Sequence, residues 1–197
     1  MMKKLFKLST ITLCLLLSLF VMTGCDMFKK ETTKDTKKEE KTEEKAKSKG
    51  KCTILKCMDK LDSKSSLEDI NKEIGFEGEK YQEGNGWSTY KWELNEDETV
   101  EATFFSTSTT IKIDFPDDLI KNKKVTFAKY DEIKAALNNR EEVSYDKIKE
   151  TFGGVEGTLV EKSSSGYKYK WVNSEGGYLN ANFNLDKTRC SMIIGRI

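Results

Sequence analysis

Histidine is absent from all 197 residues. Without it there are no histidine-based catalytic triads, no histidine metal sites and no imidazole acid–base chemistry. A glycine-rich phosphate-binding loop is missing as well. Charge of one sign is not in excess: 34 Lys and Arg stand against 33 Asp and Glu, a formal net charge of +1. Such a balance nominates neither a nucleic acid nor any other anionic partner. The longest apolar run, Leu8 to Val21, rises only ~21 Å as a helix, short of the ~30 Å hydrocarbon core of a bilayer. Acidic side chains are plentiful but are not arranged for chemistry. Glu77 and Glu156 are carboxylates of the kind a glycosidase pairs, yet a turn or surface role fits them better in so acidic a chain. Asp114, Asp117 and Asp118 lack the spacing of a calcium loop, and beside Pro116, the one proline, they read as turn chemistry. The expectation is no enzyme, no metal and no small-molecule cofactor.

What is present begins with Lys3, Lys4 and Lys7, the apolar run, and small residues before Cys25. This is the pattern of a secretory signal, spanning residues 1–24. Met22-Thr23-Gly24-Cys25 resembles the lipobox of bacterial lipoproteins, with methionine in place of the usual leucine. The resemblance implies that the Cys25 thiol receives a diacylglyceryl group and becomes the new N-terminus, anchoring the chain to the cell membrane on its extracytoplasmic face. Two acyl chains meet the requirement for stable anchoring. The alternative is an ordinary signal with an incidental cysteine. From Asp26 to Lys51 the apolar side chains are Met27, Phe28 and Ala46 alone, too few to build a core. Residues 25–51 therefore read as a charged, flexible tether with a reach on the order of 25–30 Å. Loss of the three signal lysines takes the formal charge from +1 to −2.

The remainder says one thing twice. "YKWELNEDETVEATFF", from Tyr90, returns as "YKWVNSEGGYLNANFN", from Tyr169, at a spacing of 79 residues. That spacing also aligns Gly75 with Gly154, Gly78 with Gly157, Ala102 with Ala181 and Phe104 with Phe183, and it falls to 78 upstream, where Ser66 meets Ser144. Internal repetition of this length argues for two like halves. Each half has helical spacing at Thr53–Leu61 or Ala128–Leu137, then a serine-capped, glycine-ended second helix, "SSLEDINKEIG" or "SYDKIKETFGG". Four strands follow near Glu79–Gln82, Trp87–Leu94, Val100–Phe105 and Thr110–Phe115, and again near Thr158–Lys162, Tyr167–Asn173, Tyr178–Asn184 and Arg189–Ile194. Hairpin turns make neighbouring strands antiparallel. The expected fold is α+β: two tandem αα-ββββ repeats, residues 52–117 and 118–197, each an antiparallel sheet covered on one face by two helices.

A tandem pair of such units in a secreted protein resembles the β-lactamase inhibitor protein family and its lipoprotein relatives. The likeness covers about Cys52 to Ile197 and is carried by the glycine turns and the Ala102-Thr103-Phe104 strand. It implies that the exposed sheets, side by side, grip a protruding part of a target enzyme. Thr99, Val100 and Glu101 stand here where those inhibitors are rich in tyrosine.

The repeat also sorts the aromatics. Tyr90, Trp92 and Phe104 recur as Tyr169, Trp171 and Phe183, as a shared core requires. Strand parity sends Val100, Ala102, Leu179 and Ala181 inward with them, and Glu101, Thr103, Asn180, Asn182 and Asn184 outward. Three aromatics break the repeat, Trp87 against Gly166, Phe105 against Asn184 and Tyr178 against Thr99, and all three have outward parity. Framed by Lys91, Lys170, Asn180 and Asn182, they have the composition of a protein-binding patch. The alternative is packing at a strand edge or between the halves.

Cys14 leaves with the signal and Cys25 is committed to lipid, so Cys52, Cys57 and Cys190 remain. Within one continuous helix Cys52 and Cys57 would be roughly 8–9 Å apart, too far to bridge. A disulfide requires Cys52 to precede the helix, or Cys190 to approach from the other half, and otherwise all three stay free. Two functions are in view: a surface-tethered protein-binding module, such as an inhibitor of a secreted or wall-associated enzyme, or a structural adaptor of envelope assembly.

Overall fold

The computed structural model describes residues 50–197. The expected signal, Cys25 and most of the expected tether lie outside the described residues. The described residues are α+β, with four α-helices on a nine-stranded, mainly antiparallel sheet. In order come α1 (Ile54–Lys60), α2 (Leu67–Ile74), β1 (Glu79–Gly84), β2 (Trp87–Glu93), β3 (Thr99–Phe105) and β4 (Thr109–Asp114). A 3-10 turn (Asp117–Leu119) and β5 (Lys121–Asn122) lead to α3 (Tyr130–Asn138), α4 (Tyr145–Thr151), β6 (Thr158–Ser163), β7 (Gly166–Asn173), β8 (Tyr178–Phe183) and β9 (Cys190–Arg196).

The second helix of each pair starts where its serine can satisfy free N–H groups. Ser66 Oγ accepts from the Asp69 N–H at 3.2 Å while the Asp69 carboxylate accepts the Ser66 N–H at 3.0 Å, closing a capping box. Ser144 Oγ accepts from the Lys147 N–H at 3.2 Å. Gly75 ends α2 in the left-handed conformation, φ 99°, which a β-carbon disfavours.

Strand order is β1-β2-β3-β4-β6-β7-β8-β9, with β5 beside β7 in parallel. Sequence reasoning gives each half an antiparallel sheet of four strands. In the structure the two run into one continuous sheet, because β4 and β6 pair through Ile111 with Lys162 and Lys112 with Glu161. Both strands have a free line of backbone donors and acceptors, and antiparallel contact satisfies them together.

Two apolar clusters lie against this sheet. One gathers Ile54, Cys57, Met58, Ile70 and Ile74 around Trp92, Val100, Ala102 and Ile111. The other gathers Ile133, Tyr145, Ile148 and Phe152 around Trp171, Leu179, Ala181 and Phe183. Trp92 and Trp171 are 0% and 1% exposed. Their indole N–H groups donate at 2.9 Å to Asn71 Oδ1 and to the Val155 carbonyl. A β-carbon on Gly78 would stand 2.4 Å from Trp92, and one on Gly157 2.5 Å from Trp171, which accounts for the matched glycines. The shared aromatics are not equally buried. Tyr169 and Phe183 are buried, whereas Tyr90 and Phe104 pack only partly against their cluster. Tyr145 supplies the difference, its ring 4.7 Å from Tyr169 and 5.5 Å from Phe183; Leu67 stands at the matching position of the first half.

Cys52 and Cys57 form a disulfide, with Cα atoms 5.8 Å apart. Cys52 lies ahead of Thr53, the N-cap of α1, in the position such a bond requires. Cys190 is free and buried.

Candidate functional site

The face of the sheet opposite the clusters is ordered by strand register. At one end of β2 and β3, Trp87 pairs with Phe105, and the two are 37% and 48% exposed. The Trp87 ring lies over Gly84, where a β-carbon would meet the indole nitrogen at 2.3 Å. Part of its surface therefore covers the neighbouring strand, so Trp87 is less free than its sequence position implies. The next row is Thr89, Thr103 and Thr110, with the Thr89 and Thr103 hydroxyls 2.9 Å apart.

A row of alternating charge crosses the middle. Lys91 is opposite Glu101, Glu101 opposite Lys112, Lys112 opposite Glu161, and Glu161 opposite Lys168. Lys168 Nζ is 2.5 Å from Glu161, and Lys112 Nζ is 3.9 Å from Glu101. Lys91 donates to Glu93 at 3.0 Å, and this partner holds its ammonium above its ordinary pKa. The row then passes to Asn182 and Met192.

Near the far corner Lys170, Asn180 and Ile194 align. Lys170 forms an ion pair with Asp117, and its ammonium sits 5.2 Å from the centre of the Tyr178 ring. Arg196 lies over the same ring at 5.9 Å. Tyr178 is thus half-buried rather than exposed. It also stands apart from Trp87 and Phe105: four strand spacings separate β3 from β8, roughly 19 Å. The three repeat-breaking aromatics, expected as one set, occupy two regions. Lys170 is committed to Asp117 and Tyr178 rather than free to frame a patch.

Three further residues belong to this face. Tyr81, 44% exposed, lies on β1 near Glu101 and Lys91; desolvation and the Glu101 charge push its hydroxyl pKa up. Val160 stands at its matching position, so the test that found Trp87 also finds Tyr81 when carried into β1. Met192 and Ile194 are 45% and 53% exposed. A bulge between Asn182 and Phe183 reverses the parity of β9: Cys190 opposite Phe183 points inward, and Met192 opposite Asn182 points outward. Sequence alternation carries no mark of that extra residue.

Where the first half has Trp87 and Phe105, the second has Gly166 and Asn184 and a polar hollow of about 330 Å3, lined by Ser163, Lys168, Asn182 and Arg189 among others. Gly166 is fixed by sterics, since a β-carbon there would meet the Phe183 carbonyl oxygen at 1.8 Å.

The acidic residues have local duties. Glu156 accepts from the Tyr145 hydroxyl at 2.6 Å and pairs with Lys149, and these two partners, Lys149 first, hold its carboxyl below the ordinary pKa. Burial and the Glu156 bond push the Tyr145 hydroxyl far above its usual range. Asp117 pairs with Lys170, and Asp118 pairs with Lys121 at 2.6 Å. Among the described residues no cluster of three or more metal-ligating side chains occurs. The chain matches no protein family, no curated protein and no solved structure.

Proposed function

We propose that the chain is a lipid-anchored extracytoplasmic protein, attached through Cys25, that binds another protein through its open sheet face and inhibits a secreted or wall-associated enzyme. The supporting observation is the exposure of Trp87, Phe105 and Tyr81 on the face away from both apolar clusters. Large exposed aromatics in one region serve as binding anchors. In this reading the architecture is two tandem αα-ββββ repeats, 52–117 and 118–197, akin to the β-lactamase inhibitor protein family. The recurring element order and the two glycine–indole contacts support it.

The second apolar region, Tyr178 with Met192 and Ile194 on β8 and β9, favours an alternative in which the protein is an envelope adaptor with two partners. Photo-crosslinking in cells discriminates between these readings. A cross-linking residue replaces Thr103 on the open face, Ser191 on β9, or Lys72 on α2 in the full chain. Capture at Thr103 of an enzyme whose activity falls on binding supports inhibition; capture of assembly components at both Thr103 and Ser191 supports the adaptor. Capture from Lys72 alone overturns use of the open face.

A further inference from the structure

On the helical side, at the boundary of the two apolar clusters, Lys187 points its ammonium at three tyrosine rings. Its nitrogen is 5.1 Å from the centre of Tyr169, 5.3 Å from Tyr145 and 5.7 Å from Tyr167. Distances under about 6 Å place a cation within the attractive field of a ring face. Tyr169 and Tyr145 are buried, and Tyr145 is fixed in place by its bonds to Glu156 at 2.6 Å and from the Gly157 N–H at 3.0 Å. The rings form part of the wall of a cleft of about 530 Å3, whose other side includes Leu55 and Asp59 of α1. Lys162, also in the cleft, is turned to the Leu61 carbonyl at 2.7 Å.

Three features set this cage apart from ordinary core packing. The repeat does not require it, because Leu67, Ser88 and Ser108 stand where the second half has Tyr145, Tyr167 and Lys187. Among the described residues the resident ammonium makes no salt bridge and no hydrogen bond; beyond the ring faces its charge acts at longer range on the Glu156 carboxylate of the same cleft, which it helps hold below its ordinary pKa. Lys187 sits in the β8–β9 hairpin with a left-handed backbone, φ 60°, a conformation that costs a non-glycine residue energy. Lys187 is only partly buried, so its side chain can leave the rings for solvent without opening the core. Asp59, on the cleft wall and without a salt bridge among the described residues, is placed to accompany a replacement cation.

We propose that this cleft binds a small methylated ammonium cation, with Lys187 as a built-in occupant that the ligand displaces. Methyl groups suit ring faces better than the N–H donors of an ammonium, because methyl groups ask for no hydrogen-bond acceptor. The test is titration of the full chain with choline, followed by NMR of the tyrosine ring protons. Lys187→Ala, which empties the cage, is expected to bind choline about tenfold more tightly than the wild type. Tyr167→Ser in that background, restoring the residue of the first half, is expected to lose most of the gain. Lys187→Gln replaces Lys187→Ala if the smaller side chain disturbs the hairpin. The carbon isostere of choline, uncharged, separates cation recognition from apolar filling. Failure of both Lys187 variants to show saturable ring shifts, or equal binding of the isostere, overturns the proposal.

Discussion

Replacing Trp92 by alanine tests how the sheet assigns its two faces. The side chain is 0% exposed, and burying an indole removes on the order of 150–250 Å2 from water, about 4–6 kcal/mol at ~25 cal/mol/Å2. The unfolded chain already hides some of that surface, so the expected loss is about 3–5 kcal/mol. The polar side of the substitution is mild. Asn71 Oδ1 loses the indole N–H but still accepts from the Gly78 N–H at 3.0 Å. Trp171→Ala removes the same hydrophobic contribution but takes a donor from the Val155 carbonyl, so it should cost as much as Trp92→Ala or more. Trp87→Ala should cost only about 1 kcal/mol, because its ring is partly in solvent and covers little beyond Gly84. Urea denaturation of the three variants, compared at equal m-value, gives these differences directly. A loss at Trp87 equal to that at Trp92 would refute the assignment of the open face.

Cys25→Ser is expected to release the protein from membranes and abolish labelling by fatty-acid probes; a variant that stays bound and labelled excludes lipidation there. Once a partner is captured, Trp87→Ala, Phe105→Ala and Tyr81→Ala should each weaken its binding roughly thirtyfold, about 2 kcal/mol, with little effect of Lys72→Ala on the helical side. Loss with Lys72→Ala alone would place the partner on the helices. Cys52→Ala, at the less buried end of the disulfide, should cost about 2 kcal/mol by freeing a short loop in the unfolded state; the same midpoint with and without reductant would show that the bond contributes nothing. Hydrogen bonds from Ser66 hold the Asp69 carboxyl below its ordinary value of 3.8. Its folded pKa is depressed, so its contribution is complete above that value and is lost as pH falls through the lower folded one. Acid unfolding of Asp69→Asn should therefore be shallower than wild type in that window, and an unchanged profile would remove Asp69 from the account.

Much of the local structure is legible in the amino-acid order because its causes are local. Ser66 and Ser144 mark helix starts through backbone donors a turn away, and strand alternation places Val100, Ala102, Leu179 and Ala181 inward. The features that escape depend on residues meeting across the fold. Nothing in β4 or β6 alone announces that Ile111 will lie opposite Lys162. The outward turn of Met192 and Ile194 comes from one unpaired residue in β9. Tyr178 has the parity expected of it, but Lys170 and Arg196 close over its ring from other strands. The disulfide depends on the extended backbone of Thr53, which ends the helix short of Cys52 and which helical spacing leaves open.

The joining of β4 to β6 also governs how the molecule meets its own kind. Two separate four-stranded sheets would offer four raw strand edges to any passing chain; among the described residues the joined sheet offers two long ones, β1 and β9, beside the two-residue β5. Unprotected edges are where folded proteins begin to aggregate. β1 is guarded by a bulge after Lys80 and by Glu79, Lys80 and Glu83. β9 carries one charge, Arg196, and its first residue is stoppered by the Cys190 N–H donating to the Val143 carbonyl at 2.7 Å. By hiding two of its four edges inside one sheet, the chain leaves itself a single weakly guarded margin, on which solubility at high concentration depends.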